Sequence, residues 1–204
     1  MKYIACAAVF AAGASFASAG SITTMFTGGN GGSSLWTNYF DANVTSGITV
    51  TGFDVNASDT GSTFTLDVYA RSGTYSGFET NGGAGWTLVG SGTAVAGGAN
   101  VPTFVDVSDF ALGSGITGLA LRYSGSGMQY TNGNGTNQFF SNADVSLTLG
   151  SSAATTGGAF ASGSSLFSPR IWNGTMYYNT VPEPATLAVL GIGALAALRR
   201  RRRK

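Results

Sequence analysis

The chain has 204 residues, of which 43% are hydrophobic, 12% are aromatic and 32 are glycine. This length predicts a single domain, and the aromatic content excludes a fully disordered chain despite the many small polar residues. Residues 20–180 hold three arginines against eight carboxylates, a net charge of about −5, which excludes a nucleic acid as a partner because phosphates need a basic surface.

The N-terminus has the parts of a removable secretion signal. A positively charged start precedes an apolar stretch over residues 3–16. Ala17 and Ala19 supply the small side chains that a signal peptidase reads before it cuts. We therefore expect cleavage before Gly20, and we interpret residues 1–19 as a cleavable signal helix.

The body of the chain, residues 20–180, contains segments in which hydrophobic side chains recur with the period of two that is typical of β-strands. Residues 63–71 alternate without interruption, and residues 48–55 change phase at Gly52, which predicts a β-bulge there. Further strands are predicted at residues 22–26, 86–95, 102–107, 118–123 and 143–149.

A hairpin is predicted near the end of the body. Residues 168–172 and 175–178 flank Asn173-Gly174, the pair that best tolerates the positive φ angles of a type I′ turn. About eight or nine short strands with long glycine-rich connections predict an all-β fold, an antiparallel β-sandwich for which a jelly roll is the candidate arrangement.

The body contains no histidine and no cysteine, because the one cysteine, Cys6, would leave with the signal helix. The commonest general base and the usual transition-metal ligands are therefore missing. We expect no enzyme activity, no catalytic residue, no metal site and no cofactor. A glycoside hydrolase that uses two of the carboxylates stays open as one alternative.

Aromatic side chains leave a second alternative open, a carbohydrate-binding module whose rings stack on sugars. The residues that could do so are Trp36, Trp86, Trp172, Tyr75, Tyr123, Tyr130, Tyr177 and Tyr178. The alternation of the strands does not decide which of them point outward.

Two segments are candidates for binding loops. Asp54, Asn56, Ser58 and Asp59 offer oxygen ligands of the kind that calcium takes, but Asp and Asn are also ordinary turn formers, and we favour that interpretation. Residues 28–32 are glycine-rich like a phosphate-binding loop, but no Lys-Ser/Thr pair follows them, so we interpret them as a flexible loop.

The C-terminal tail, residues 181–204, has three parts. The prolines of residues 181–184 predict an extended spacer. Residues 185–198 predict a short C-terminal transmembrane helix, which at about 1.5 Å per residue reaches only ~21 Å and suits a transient stop in a hydrocarbon core of roughly 30 Å. Residues 199–204 are a basic stop that is expected to stay in the cytoplasm, with the body outside.

This order of motif, apolar helix and basic terminus resembles the PEP-CTERM sorting signal. The resemblance implies that Pro182, Glu183 and Pro184 are the recognition element, that the helix holds the precursor in the inner membrane, and that an exosortase cleaves near the motif. It also implies a Gram-negative envelope, a mature form at the cell surface or outside the cell, and biofilm or exopolysaccharide surroundings. Within the basic stop, the residues expected to take part in processing are Arg199, Arg200, Arg201, Arg202 and Arg203.

These features favour an exported, non-catalytic structural or interaction protein of the envelope or extracellular matrix over the two alternatives. The expected partners are a signal peptidase and an exosortase during export and the inner membrane transiently, with a polysaccharide matrix as a candidate partner of the mature form.

Overall fold

The computed structural model of the protein describes residues 17–155 and 158–181. Within these ranges the chain is all-β, with every pair of neighbouring strands antiparallel and no helix. A helix long and apolar enough to cross a membrane is likewise not found in the described ranges. The predicted signal helix up to residue 16, the motif Pro182, Glu183 and Pro184, the apolar tail helix and the terminal arginines lie outside the described residues.

Fourteen strands make up the described structure, more than the sequence predicts. They are β1 (Ala19–Thr23), β2 (Asn30–Gly32), β3 (Trp36–Val44), β4 (Ile48–Val55), β5 (Thr63–Ser72), β6 (Thr87–Val95), β7 (Thr103–Leu112), β8 (Gly115–Ser124), β9 (Met128–Asn132), β10 (Phe139–Ser141), β11 (Val145–Ala154), β12 (Ser165–Phe167), β13 (Arg170–Trp172) and β14 (Gly174–Thr180).

Two sheets pack face to face as a sandwich. The front sheet has the order β1-β14-β4-β7, and the back sheet has the order β10-β11-β3-β8-β5-β6 with β12 beside β11. Their strand order is that of a jelly roll with β11 added outside β3. A small third sheet, β13-β9-β2, lies at one end.

The core lies between the front and back sheets because each strand turns alternate side chains inward. Fully buried side chains from the front sheet include Val50, Phe53 and Val105, and those from the back sheet include Phe40, Leu66 and Leu121. Burial of such side chains is the main favourable term in the stability of a domain that has no disulfide in its body.

The sandwich is closed on one side by a close approach of β6 to β7. Gly92 of β6 lies against the backbone of Asp106 in β7, so that a Cβ atom at position 92 would overlap the Asp106 carbonyl oxygen. Glycine is therefore required there, since any side chain would force these two strands apart.

The predicted bulge is confirmed. The register of β4 against β7 shifts between Val50 and Gly52, and the register of β14 against β4 shifts between Tyr177 and Tyr178. The uninterrupted alternation of residues 63–71 is confirmed as part of β5. The first strand lies earlier than predicted, because β1 begins at Ala19 and ends at Thr23.

The predicted hairpin at Asn173-Gly174 is wrong. The strand β13 pairs with β9 in the small sheet, whereas β14 pairs with β1 and β4 in the front sheet. The reason is Trp172, whose side chain inserts into the core and stacks on Phe40 with the ring centroids 5.1 Å apart. The chain therefore crosses from one sheet to another at Asn173, which is fully buried.

Strand β3 lies near the centre of the back sheet and was not predicted. Both of its faces are buried, because Phe40 points into the core while Tyr39 packs in a second cluster on the opposite face. Loop residues including Tyr75 and Phe160 cover that opposite face. A strand that is buried on both faces loses the alternation of hydrophobic and polar residues on which a prediction depends.

Candidate functional site

The two ends of the described chain lie side by side at one edge of the front sheet. Strand β1 pairs with β14, with Ala19 opposite Asn179. One residue further out, the N–H of Thr180 donates to the carbonyl oxygen of Ser18 over 2.9 Å, and the N–H of Ser18 donates to Thr180 Oγ1 over 3.0 Å. We call these contacts of Ser18 and Ala19 with residues 179–180 the terminal clasp.

The opposite side of β14 is held by β4. Beyond the end of β14, the N–H of Val181 donates to the carbonyl oxygen of Gly47 over 2.8 Å. Alternate N–H groups of this segment therefore point to different neighbours, with Thr180 facing the N-terminal residues and Val181 facing the loop before β4.

Gly20, the predicted first residue of the mature protein, lies under the ring of Tyr178. A Cβ atom at position 20 would be 2.6 Å from the nearest ring carbon. The ring has little freedom to move, since its hydroxyl donates to Asp144 Oδ2 over 3.0 Å and accepts from Asn142 Nδ2 over 2.8 Å. Burial is the main cause that raises the pKa of Tyr178 above its ordinary value.

Ala17 and Ala19, the other predicted signal peptidase residues, are exposed. Ala19 is nevertheless part of β1, and its neighbour Ser18 is bonded to Thr180. The structure thus brings the predicted cleavage site next to the start of the C-terminal tail, a proximity that the sequence does not indicate because about 160 residues separate them.

The outward face of the front sheet, which we call the front face, is polar apart from two aromatic rings. Two neighbouring cross-strand rows of residues make up its centre. The rows are Thr23, Thr175, Asp54 and Phe104, and then Ser21, Tyr177, Gly52 and Asp106. The residues between these positions, such as Phe53 and Met176, point into the core.

An aromatic corner stands at the middle of the front face. Phe104 is 54% exposed although it is a large hydrophobic residue, and its ring leans over the bare backbone of Gly52. The Tyr177 ring meets it nearly at a right angle, with 5.7 Å between the centroids and 71° between the planes. Such an edge contact of two rings is itself favourable and fixes the shape of the corner.

A carboxylate holds the tyrosine of this corner in place. The Tyr177 hydroxyl donates to Asp54 Oδ2 over 2.6 Å. This hydrogen bond is the largest cause that raises the pKa of Tyr177, because ionisation of the phenol would remove the donor and place two negative charges together.

The front face is acidic. It carries Asp54 and Asp106, whereas the arginines of the described ranges lie elsewhere: Arg71 in β5, Arg122 in β8 and Arg170 in β13. A polyanion is therefore repelled from this face, and an uncharged or amine-bearing ligand is not.

The aromatic residues singled out from the sequence have mostly structural positions. Trp172 and Tyr123 are buried in the core, Trp86 packs in the second cluster, and Trp36 stacks on Phe167 with 5.2 Å between the centroids. Tyr177 is the member of that group on the front face.

Phe104 is not among the sugar-stacking residues that the sequence predicts, because those are tryptophans and tyrosines. The signal was present, because Val105 and Val107 are buried and a period of two then places Phe104 on the outward face.

The oxygen ligands of residues 54–59 do not converge. Asp54 is on the front face, Asn56 is fully buried and accepts from the Asn100 N–H over 2.8 Å, and Asp59 accepts from the Gly127 N–H over 2.9 Å. In the part of the chain that the structure describes, no group of three or more acidic, histidine or cysteine side chains could hold a metal ion.

The glycine-rich segment 28–32 is more ordered than predicted. Asn30–Gly32 form β2, which pairs with β9, and the N–H of Gly28 donates to Asn100 Oδ1 over 2.7 Å. The interpretation of this whole segment as a flexible loop is therefore wrong, because backbone pairing fixes more than half of it.

A protein-family model matches the C-terminal end of the chain. The family model described as the PEP-CTERM protein-sorting motif matches residues 180–203. A search of the curated proteins returned no match. The matched segment starts at Thr180, which is both the last residue of β14 and a member of the terminal clasp.

Proposed function

We propose that the chain, whose residues 180–203 match the PEP-CTERM protein-sorting motif, is a non-catalytic structural or binding protein of the cell envelope or extracellular matrix. The motif marks an exported precursor that an exosortase processes for the cell surface. The observation that carries the proposal is the position of the motif, which starts where the last strand of the sandwich ends. Cleavage near the motif therefore leaves every strand of the body intact.

The body supports a structural role through its surface and composition. Residues 20–180 contain no histidine and no cysteine, and their net charge is about −5. A jelly roll whose core is packed from apolar side chains and whose body has no cysteine offers no thiol that an oxidising exterior could alter after release.

The test uses the whole chain in a host that has a matching exosortase. The variant carries Pro182→Ala, Glu183→Ala and Pro184→Ala, and mass spectrometry follows the loss of the tail while cell fractionation follows the body. We expect the unchanged chain to lose its tail and the variant to stay in the membrane uncut. Trimming of the variant at the rate of the unchanged chain would refute the proposal.

A second candidate function, binding of a carbohydrate, is favoured by the aromatic corner of the front face. The exposed Phe104 ring offers an apolar surface to the C–H groups of a pyranose. Asp54 Oδ1 and the Asp106 carboxylate are acceptors for sugar hydroxyls in the neighbouring rows. The acidity of the face selects a polysaccharide without acidic groups.

Two phenylalanine variants test this candidate. Phe104→Ala should weaken binding to a neutral polysaccharide at least tenfold. Phe139→Ala should not weaken it, because Phe139 is just as accessible, at 63% exposure, but lies in β10 of the back sheet. Affinity electrophoresis against neutral and acidic polysaccharides measures both. If every polysaccharide retards the two variants equally, the front face holds no sugar site. The same conclusion follows if no polysaccharide retards the unchanged chain.

A further inference from the structure

We propose that a groove at one end of the sandwich binds a carboxylate-bearing sugar, a uronic-acid residue of an oligosaccharide, through Arg71. This second site goes beyond the proposed function, because it involves neither the front face nor the processing of the tail. Arg71 binds the carboxylate of the sugar, and hydroxyl groups of the groove bind the hydroxyls of its ring.

The groove has a volume of about 360 Å³ and lies between the end of β5, the start of β6 and the turn that joins β7 to β8. Among the described residues that line it, Arg71 is the one with a charge. Exposed hydroxyls come from Ser72, Thr87 and Ser114, and Ile116 is 51% exposed beside them. Sites for small ligands have volumes of roughly 300–1,000 Å³, so the groove is large enough for a sugar residue.

The guanidinium of Arg71 is held in place by the loop that follows β5. Its central carbon lies 3.4 Å from the centroid of the Phe78 ring, and its Nη1 donates to the carbonyl oxygen of Thr74. Stacking and the hydrogen bond both restrict this long side chain. Little conformational entropy therefore remains to be lost when a ligand binds to it.

The opposite edge of the guanidinium has a donor that is not used. The buried Nε of Arg71 has no hydrogen-bond partner within the part of the chain that the structure describes. Gly85 lies beside this edge, since a Cβ atom there would be 3.9 Å from Nε and 4.0 Å from Nη2. Arginine binds a carboxylate with two parallel hydrogen bonds from such an edge, and position 85 carries no side chain that would fill the space.

The acidic residue of the same cross-strand row is engaged elsewhere. Asp41 and Arg71 lie on either side of Gly118 in this row. Asp41 Oδ1 accepts from the N–H of Tyr75 over 2.8 Å, and Asp41 Oδ2 accepts from the hydroxyl of Thr74 over 2.7 Å. Both oxygens of Asp41 thus hold the loop, and an external carboxylate is the partner that fits Arg71.

The other groups of the groove favour a sugar over an acidic peptide. Hydroxyl groups both donate and accept, so the exposed hydroxyls match those of a pyranose ring. Ile116 offers an apolar surface to the C–H groups of that ring. The net charge of the body, about −5, repels anions at long range, but salt screens this repulsion beyond roughly 8 Å. Recognition therefore depends on the short-range contact with Arg71.

The test is isothermal titration calorimetry of the full-length chain in detergent at about 0.15 M salt, with trigalacturonate as the probe. We expect saturable binding that is lost with the fully methyl-esterified trisaccharide, which keeps the ring hydroxyls and removes the charges. Arg71→Met should weaken binding of trigalacturonate by about tenfold or more. Arg71→Lys should weaken it too, because lysine keeps the charge but lacks the edge with two donors.

Arg170→Met is the matched control. The Arg170 guanidinium also lies over an aromatic ring, 5.3 Å from the centroid of Tyr130, and its Nε is likewise buried without a partner in the described ranges. Arg170 does not line the groove. The substitution makes the same change in net charge, and binding should stay within about twofold of that of the unchanged chain.

Ile116→Glu guards against a loss of binding that comes from unfolding. Ile116 is half exposed, so its replacement should keep the fold, which circular dichroism checks. The new carboxylate repels the carboxylate of the ligand while Arg71 stays in place. We expect this variant to weaken binding of trigalacturonate by about tenfold as well.

Four results would each overturn the proposal. They are no binding of trigalacturonate to the unchanged chain, equal binding of its methyl ester, binding that Arg71→Met and Ile116→Glu leave unchanged, and equal binding of triglutamate, which carries carboxylates without a sugar. Failure of the proposed function appears separately, as trimming of the chain in which Pro182, Glu183 and Pro184 are alanine.

Discussion

Replacement of Trp172 distinguishes a core position from the edge hairpin that the sequence alone predicts. The side chain is 1% exposed, stacks on Phe40 and meets Phe53 edge-on with 5.9 Å between the centroids. Its Nε1 donates to the Tyr123 hydroxyl over 3.2 Å. On an edge hairpin the same residue would be largely exposed, and its replacement would cost little.

The magnitude follows from these contacts. Truncation of a buried tryptophan to alanine costs about 3–5 kcal/mol, and the lost hydrogen bond to buried Tyr123 adds roughly 1 kcal/mol. Because a domain is stable by only about 5–15 kcal/mol, Trp172→Ala is expected to leave the protein close to unfolding. Trp172→Phe keeps one ring in place and should cost roughly 1.5–3 kcal/mol.

The assay is urea unfolding of the chain that begins at Gly20, followed by circular dichroism, with the slope against urea checked for two-state behaviour. The matched control is Trp36→Phe, since Trp36 is only partly buried and stacks on Phe167 near the surface. We expect it to cost below about 1 kcal/mol. If Trp172→Phe costs no more than Trp36→Phe, the core position is wrong.

Three further predictions concern closure of the sandwich and the behaviour of its tyrosines. Gly20→Ala should lower the free energy of unfolding by about 1–3 kcal/mol, because the alanine Cβ atom meets the Tyr178 ring, and calorimetry measures this change. Signal peptide removal should continue at its usual position, which intact-mass analysis checks. Gly92→Ala should cost a similar 1–3 kcal/mol, roughly, since it pushes β6 away from Asp106 in β7, and an unchanged midpoint in urea would argue against that close approach. Burial raises the pKa of Tyr123, so the neutral tyrosine stabilises the fold fully below the ordinary pKa of about 10, and this stabilisation is lost as the pH rises through the folded-state pKa. Ultraviolet absorbance should show a fraction of the tyrosines ionising only together with alkaline unfolding. Smooth titration of all the tyrosines in the folded protein would contradict the burial of Tyr123.

The sequence by itself determined the features that depend on neighbouring residues. The alternation of residues 63–71 predicted a strand because side chains two apart share a face. The phase change at Gly52 predicted the bulge for the same local reason. The sorting motif was recognised at the C-terminus because its parts follow one another directly along the chain.

Tertiary structure decided which distant segments became neighbours. Asn173-Gly174 has the local chemistry of a hairpin turn, but burial of Trp172 outweighs that preference and sends the two flanking strands into different sheets. Strand β3 could not be predicted from its own sequence, because parts of the chain that are remote in sequence cover both of its faces.

The aromatic corner and the terminal clasp also depend on tertiary structure. Phe104 of β7 meets Tyr177 of β14, and Ser18 meets Thr180, only because segments that are distant in sequence join one sheet. Strand pairing is set by the total burial that the whole fold achieves and not by the residues of either strand. The processing signals at the two ends can therefore be recognised in the sequence, whereas the terminal clasp that joins the two ends exists only in the folded protein.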